Sequence, residues 1–126
     1  MISLLSKVFR HSDKLAVAWG VAIAYLSLTP LATLPPLPGG DKFQHFAAYA
    51  LLGLLGLWAR RSLVGAVWIA AAMLSYGGII ELLQPYVNRY GELGDFLANG
   101  GGVLSGGLAA MALRRTTGLT DNRKNA

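Results

Sequence analysis

The chain has 126 residues, enough for one domain, of which 54% are hydrophobic and only 13% charged. A soluble domain carries about 25% charged residues, so composition favours a membrane protein. The lack of cysteine excludes disulfides and thiolate metal sites, and the net charge of +5 falls in short groups between apolar runs, not on one basic patch, which argues against nucleic acid as a partner.

Residues 2–10, ISLLSKVFR, place Leu4, Leu5, Val8 and Phe9 near one helical face. That pattern fits either a short interfacial helix or a frayed terminus. Residues 1–28 also have the outline of a signal peptide, but no A-x-A-like cleavage site follows them. Four stretches then match or approach the roughly 20 apolar residues of a membrane span. They are LAVAWGVAIAYLSLTPLATL (15–34), FQHFAAYALLGLLGLWA (43–59), SLVGAVWIAAAMLSYGGIIELLQ (62–84) and the glycine-rich DFLANGGGVLSGGLAAMALR (95–114). Pro30 should bend or end the first helix early, and LPPLPGG (34–40) is a break that no helix crosses. Asp41 stands where the N-cap of the second helix belongs. RRS (60–62) reads as a tight hairpin, and PYVNRYGELG (85–94) as a polar loop. Residues 50–59 and 63–74 lack a polar face at the helical period, unlike helices of a soluble bundle. The expected fold is therefore all-α, a polytopic four-transmembrane-helix bundle over residues 15–114. Residues 1–14 form a cytoplasmic N-terminal segment and 115–126 a disordered cytoplasmic tail.

Orientation follows from the basic residues. Lys7, Arg10, Lys14, Arg60, Arg61, Arg114, Arg115, Arg123 and Lys124 lie on one side, and only Lys42 and Arg89 on the other. Both termini are expected in the cytoplasm, and the loops at 34–42 and 85–94 outside.

The polar groups gather toward that outer side. Asp41, His45 and Tyr49 are four apart and form one stripe on the second helix. Glu81 and Gln84 share a face of the third, while Tyr76 is offset from them. Asp95 and Asn99 begin a stripe on the fourth that Gly102 and Gly106 continue. Charged groups in a membrane normally face the bundle interior or a water-filled cavity. The stripes should thus converge, with Lys42 and Arg89 near the carboxylates. Gly102 and Gly106 read first as a helix-packing motif. They do not establish a homo-oligomer.

DKFQHFAAYALLG (41–53), followed by GGIIELLQPYVNRYGELGDFLANGGGVLSG (77–106), resembles the VanZ-like family, named for a protein linked to teicoplanin resistance. The resemblance rests on Asp41, Lys42, His45, Phe46, Tyr49, Glu81, Gln84, Arg89, Asp95, Asn99, Gly102 and Gly106. It covers both outer loops and three of the four helices. The stretch YGELG (90–94) departs from the pattern by carrying Glu92 where many members have a hydroxyl residue. The resemblance implies a multi-pass protein of the bacterial inner membrane that affects glycopeptide susceptibility, and it supplies no reaction.

Two functions compete at this stage. In the first, Asp41, Lys42, His45, Tyr49, Glu81, Gln84, Arg89, Asp95 and Asn99 line an outward pocket for an envelope lipid, a cell-wall precursor or a glycopeptide. Arg89 and Lys42 would take its phosphate or carboxylate. In the second, a small membrane enzyme uses Glu81 and His45 as an acid–base pair, with Asp95 as a further candidate. His45, Glu81 and Asp95 could also hold a metal, but no H-E-x-x-H motif occurs, and the sequence assigns neither metal nor cofactor. A transporter fits poorly, because the polar groups lie on one side and no internal repeat is visible.

Overall fold

The computed structural model describes residues 1–30 and 40–118. Most of the 34–40 break and the tail beyond residue 118 lie outside the described residues. Among those described, the chain is all-helical, without a strand. It forms α1 (Ile2–Arg10), α2 (Ser12–Leu28), α3 (Gly40–Trp58), α4 (Leu63–Leu83), a short 3-10 helix (Gln84–Val87) and α5 (Leu93–Thr117).

The helix ends follow local chemistry. α2 stops at Leu28, and Thr29 is extended at ψ 132°. The ring of Pro30 disfavours helical geometry in the residue before it. Ser62 caps α4, its hydroxyl accepting the Gly65 N–H at 3.0 Å. Pro85 opens the 3-10 helix, where no intrahelical N–H is required. Asn88 closes that helix at φ 58°, a left-handed conformation that asparagine tolerates. α5 runs three residues past the expected end of its span, to Thr117, and Gly118 terminates it at φ 62°. α3 begins at Gly40, so Asp41 sits in its first turn and not at its cap.

α3 and α5 form the central pair. Their backbones approach closely because glycines on each helix lie against the backbone of the other. A Cβ on Gly102 would strike the Phe46 carbonyl, and one on Gly106 the Ala50 carbonyl. A Cβ on Gly53 would lie 2.6 Å from the Val103 carbonyl oxygen. Gly102 and Gly106 are thus used inside the chain as a small-xxx-small contact. α2 joins the pair through Trp19, whose indole N–H donates to the Ala48 carbonyl at 2.8 Å. The Tyr76 hydroxyl of α4 donates to the Gly20 carbonyl of α2, so Tyr76 does point away from Glu81. The core between them holds Ile23, Tyr49, Leu52, Leu55, Ile80 and Val103. Phe9 of α1 stacks on Trp58 at the end of α3, with ring centroids 3.6 Å apart.

Two stretches, Leu63–Val87 and Leu93–Thr117, are long and apolar enough to cross a membrane. Much of their apolar surface is turned outward, including Val64, Trp68, Leu97 and Leu104.

Candidate functional site

One end of the bundle brings together polar groups from three helices. His45 lies in the second turn of α3, Glu81 in the last turn of α4, Asp95 in the first turn of α5 and Asn99 one turn later. The imidazole stands between the two carboxylates. Its Nδ1 is 3.5 Å from Glu81 Oε1, and its Nε2 is 3.6 Å from Asp95 Oδ2. The side chains of His45, Glu81 and Asp95 are only 12%, 9% and 5% exposed.

Both edges of the ring meet acceptors. Nδ1 lies 3.0 Å from the Asn99 side-chain oxygen, beside Glu81 Oε1, and Nε2 faces Asp95 Oδ2.

The carboxylates are only partly satisfied. Glu81 Oε2 accepts the Glu92 backbone N–H at 3.2 Å. Glu92 is the N-cap of α5, so Glu81 faces the positive end of that helix. Gly91 permits the approach, since a Cβ there would collide with the Glu81 carbonyl. The remaining oxygens, Glu81 Oε1 and Asp95 Oδ1, are buried without a hydrogen-bond partner among the described residues. Such atoms are uncommon in native structures and call for an explanation.

Lys42 covers the cluster from the loop side. Its Nζ is 3.0 Å from Glu92 Oε2 and 3.7 Å from Asp95 Oδ1. Lys42 lies ahead of the apolar part of α3. The hydrogen bond to Glu92, reinforced by the charges of Glu92 and Asp95, raises its pKa above the ordinary lysine value. Gly94 makes room for the lysine stem, 2.7 Å from where its own Cβ would stand. One turn below His45, Tyr49 is buried, and its hydroxyl has no partner among the described residues. A Cβ on Gly77 would lie 3.0 Å from both that hydroxyl and the Asn99 amide nitrogen.

Other expected members are placed elsewhere. Arg89 donates to the Leu26 carbonyl at 2.8 Å and the Thr29 carbonyl at 3.2 Å, closing the C-terminal end of α2. Gln84 also turns to α2, donating to the Ser27 carbonyl at 3.2 Å. Asp41 is exposed. Gly102 and Gly106 lie in the α3–α5 contact beneath the cluster. The candidate set from sequence lacked Glu92, Gly77, Gly91 and Gly94. The available signal was the pair of glycines, Gly91 and Gly94, flanking the acid in YGELG.

Comparison of the chain with protein-family models, with curated proteins and with solved structures returned no match. The chemistry of the site is therefore read from its own geometry. Two buried carboxylates and an oriented imidazole can hold a cation, accept hydrogen bonds from a ligand, or exchange a proton.

Proposed function

We propose that the chain is a VanZ-like, multi-pass protein of a bacterial cytoplasmic membrane. On this reading α2 to α5 provide four spans, both termini are cytoplasmic, and the His45–Glu81–Asp95 cluster lies toward the outer face. The length and apolarity of Leu63–Val87 and Leu93–Thr117 support it. So do outward apolar side chains on the other two helices, Val17 and Val21 on α2 and Phe43 and Leu51 on α3. The basic hairpin at Arg60–Arg61 sets the orientation, and α1 would lie along the inner leaflet, tied to the bundle by the Phe9–Trp58 stack.

The cluster then binds the polar part of an envelope lipid, a cell-wall precursor or a glycopeptide-type molecule, and so affects susceptibility to teicoplanin. One observation carries this reading: three helices bury an imidazole and two carboxylates together where apolar side chains would pack at lower cost. The geometry changes the expected ligand chemistry. Lys42 lies between Glu92 and Asp95, and Arg89 turns one guanidinium nitrogen to the Leu26 and Thr29 carbonyls. The side chains that converge in the cluster are two carboxylates and an imidazole, which favour an ammonium or hydroxyl donor over a phosphate.

A second reading, a small membrane enzyme with Glu81 and His45 as acid–base pair, draws on the carboxylate facing each ring nitrogen of His45. Single substitutions His45→Ala, Glu81→Ala and Asp95→Ala test both, with Asp41→Ala as the control. Altered teicoplanin susceptibility, or loss of an envelope lipid retained on the purified protein, is expected for the first three. If all three insert normally and leave both readouts unchanged, the binding reading is wrong. Turnover of a labelled envelope lipid would promote the enzyme.

A further inference from the structure

We propose that His45, Glu81 and Asp95 bind one divalent first-row metal cation. The two ring nitrogens of His45 face different partners. Nδ1 lies 3.0 Å from the Asn99 side-chain oxygen, and in the Nδ1–H tautomer that this contact suits, Nε2 presents a lone pair. It faces Asp95 Oδ2 at 3.6 Å, another electron-rich atom. A cation between them would bind both, because their separation is close to that of two ligands on one metal ion.

The spacing suits a metal. A zinc ion sits about 2.0–2.2 Å from nitrogen and carboxylate ligands, which puts adjacent tetrahedral ligands about 3.4 Å apart. One ligand atom from each of His45, Glu81 and Asp95 lies within 4.8 Å of the other two. Small side-chain rotations close that triangle around an ion.

Three further observations point to the same occupant. Glu81 Oε1 and Asp95 Oδ1 are buried, without hydrogen-bond partners among the described residues, on side chains more than nine-tenths buried. The charge also favours a cation: Lys42 is shared between Glu92 at 3.0 Å and Asp95 at 3.7 Å, so the two buried carboxylates keep negative charge that a divalent ion would offset. Finally, Asn99 acts as an outer-shell partner, since a metal-binding histidine ordinarily donates its other N–H to such an acceptor. One nitrogen and two carboxylate donors suit Zn²⁺ or Mn²⁺. Three protein ligands leave a coordination position for water or a ligand atom.

The test uses the full chain, purified in detergent, stripped with chelator and titrated with Zn²⁺ or Mn²⁺ alone. Elemental analysis should find about one metal per chain, and the bound metal should raise the unfolding temperature. His45→Ala and Asp95→Asn should abolish stoichiometric binding, Asn99→Ala should weaken it about 10–100-fold, and Asp41→Ala should leave it unchanged. If His45→Ala does not insert, the isosteric Glu81→Gln in a monodisperse, helical preparation decides the matter. A folded wild-type chain that takes up neither metal overturns the proposal. Equal binding by the ligand variants overturns it too. The proposal stands apart from the envelope-ligand reading: metal binding without any effect on susceptibility would sink that reading alone, and the converse result this one.

Discussion

The two ends of the bundle handle charge in opposite ways. At the basic end, Arg60 pairs with Asp13 at 2.8 Å, with both side chains about one-third exposed. Arg114 donates to the Trp58 and Arg60 carbonyls at 2.8 and 2.7 Å, closing the C-terminal end of α3. These groups find partners at the surface and complement the negative end of a helix. Arg89 does the same for α2 at the opposite end. The carboxylates beside it differ: Glu81 and Asp95 are buried, and each keeps one oxygen without a hydrogen-bond partner among the described residues. The contrast is that the basic residues reach backbone carbonyls at helix C-termini, although Arg89 Nε is left without a hydrogen-bond partner among the described residues, whereas the two buried acids converge on one imidazole. Arg89 resembles a site residue in the sequence and behaves as a scaffold residue in the fold.

Breaking this contrast should have its largest effect at the buried end. His45→Ala leaves two buried carboxylates facing each other and should cost about 3–5 kcal/mol in thermal or denaturant unfolding in detergent. Adding Asp95→Asn to that variant should restore part of the loss, and a double-mutant cycle would measure the coupling. Next comes the close backbone contact beneath the cluster. Gly106→Leu drives a side chain into the Ala50 carbonyl and should cost about 1–3 kcal/mol or more, read as a lower unfolding temperature. Arg89→Ala and Arg114→Ala, from opposite ends, should each cost about 1 kcal/mol, because each removes a cap on helix-terminal carbonyls. Unequal effects on teicoplanin susceptibility or lipid retention, at equal loss of stability, would show that Arg89 belongs to the site after all. The exposed Arg60–Asp13 pair should contribute less than about 1 kcal/mol, and Asp41→Ala should stay within about 0.5 kcal/mol of wild type.

Much of this architecture was legible beforehand, for local reasons. The apolar runs at 43–59, 62–84 and 95–114 correspond to α3, α4 and α5 within a few residues, since hydrophobicity and flanking Pro, Gly and Ser act through the chain itself. The early stop before Pro30 and the hairpin at 60–62 are of the same kind. The stripes that carry His45, Glu81, Asp95 and Asn99 were also visible, because spacings of three and four residues set a shared helical face, and their convergence was expected only because charged groups in a membrane turn to the bundle interior.

The sequence by itself therefore determined the four long helices and the stripe on which each polar residue lies, but left α1 open and read the 3-10 helix at Gln84–Val87 as loop. Only the tertiary structure decided what each side chain meets. Glycines 53, 102 and 106 set how closely α3 and α5 approach, and so which turns of the two helices come level. The left-handed Asn88 turns the chain beyond α4, after which Arg89 meets the carbonyls of α2 and the Glu92 N–H meets Glu81. A side chain's position along its helix follows from local sequence. Its partner depends on the distance and rotation between helices, which are properties of the packed bundle.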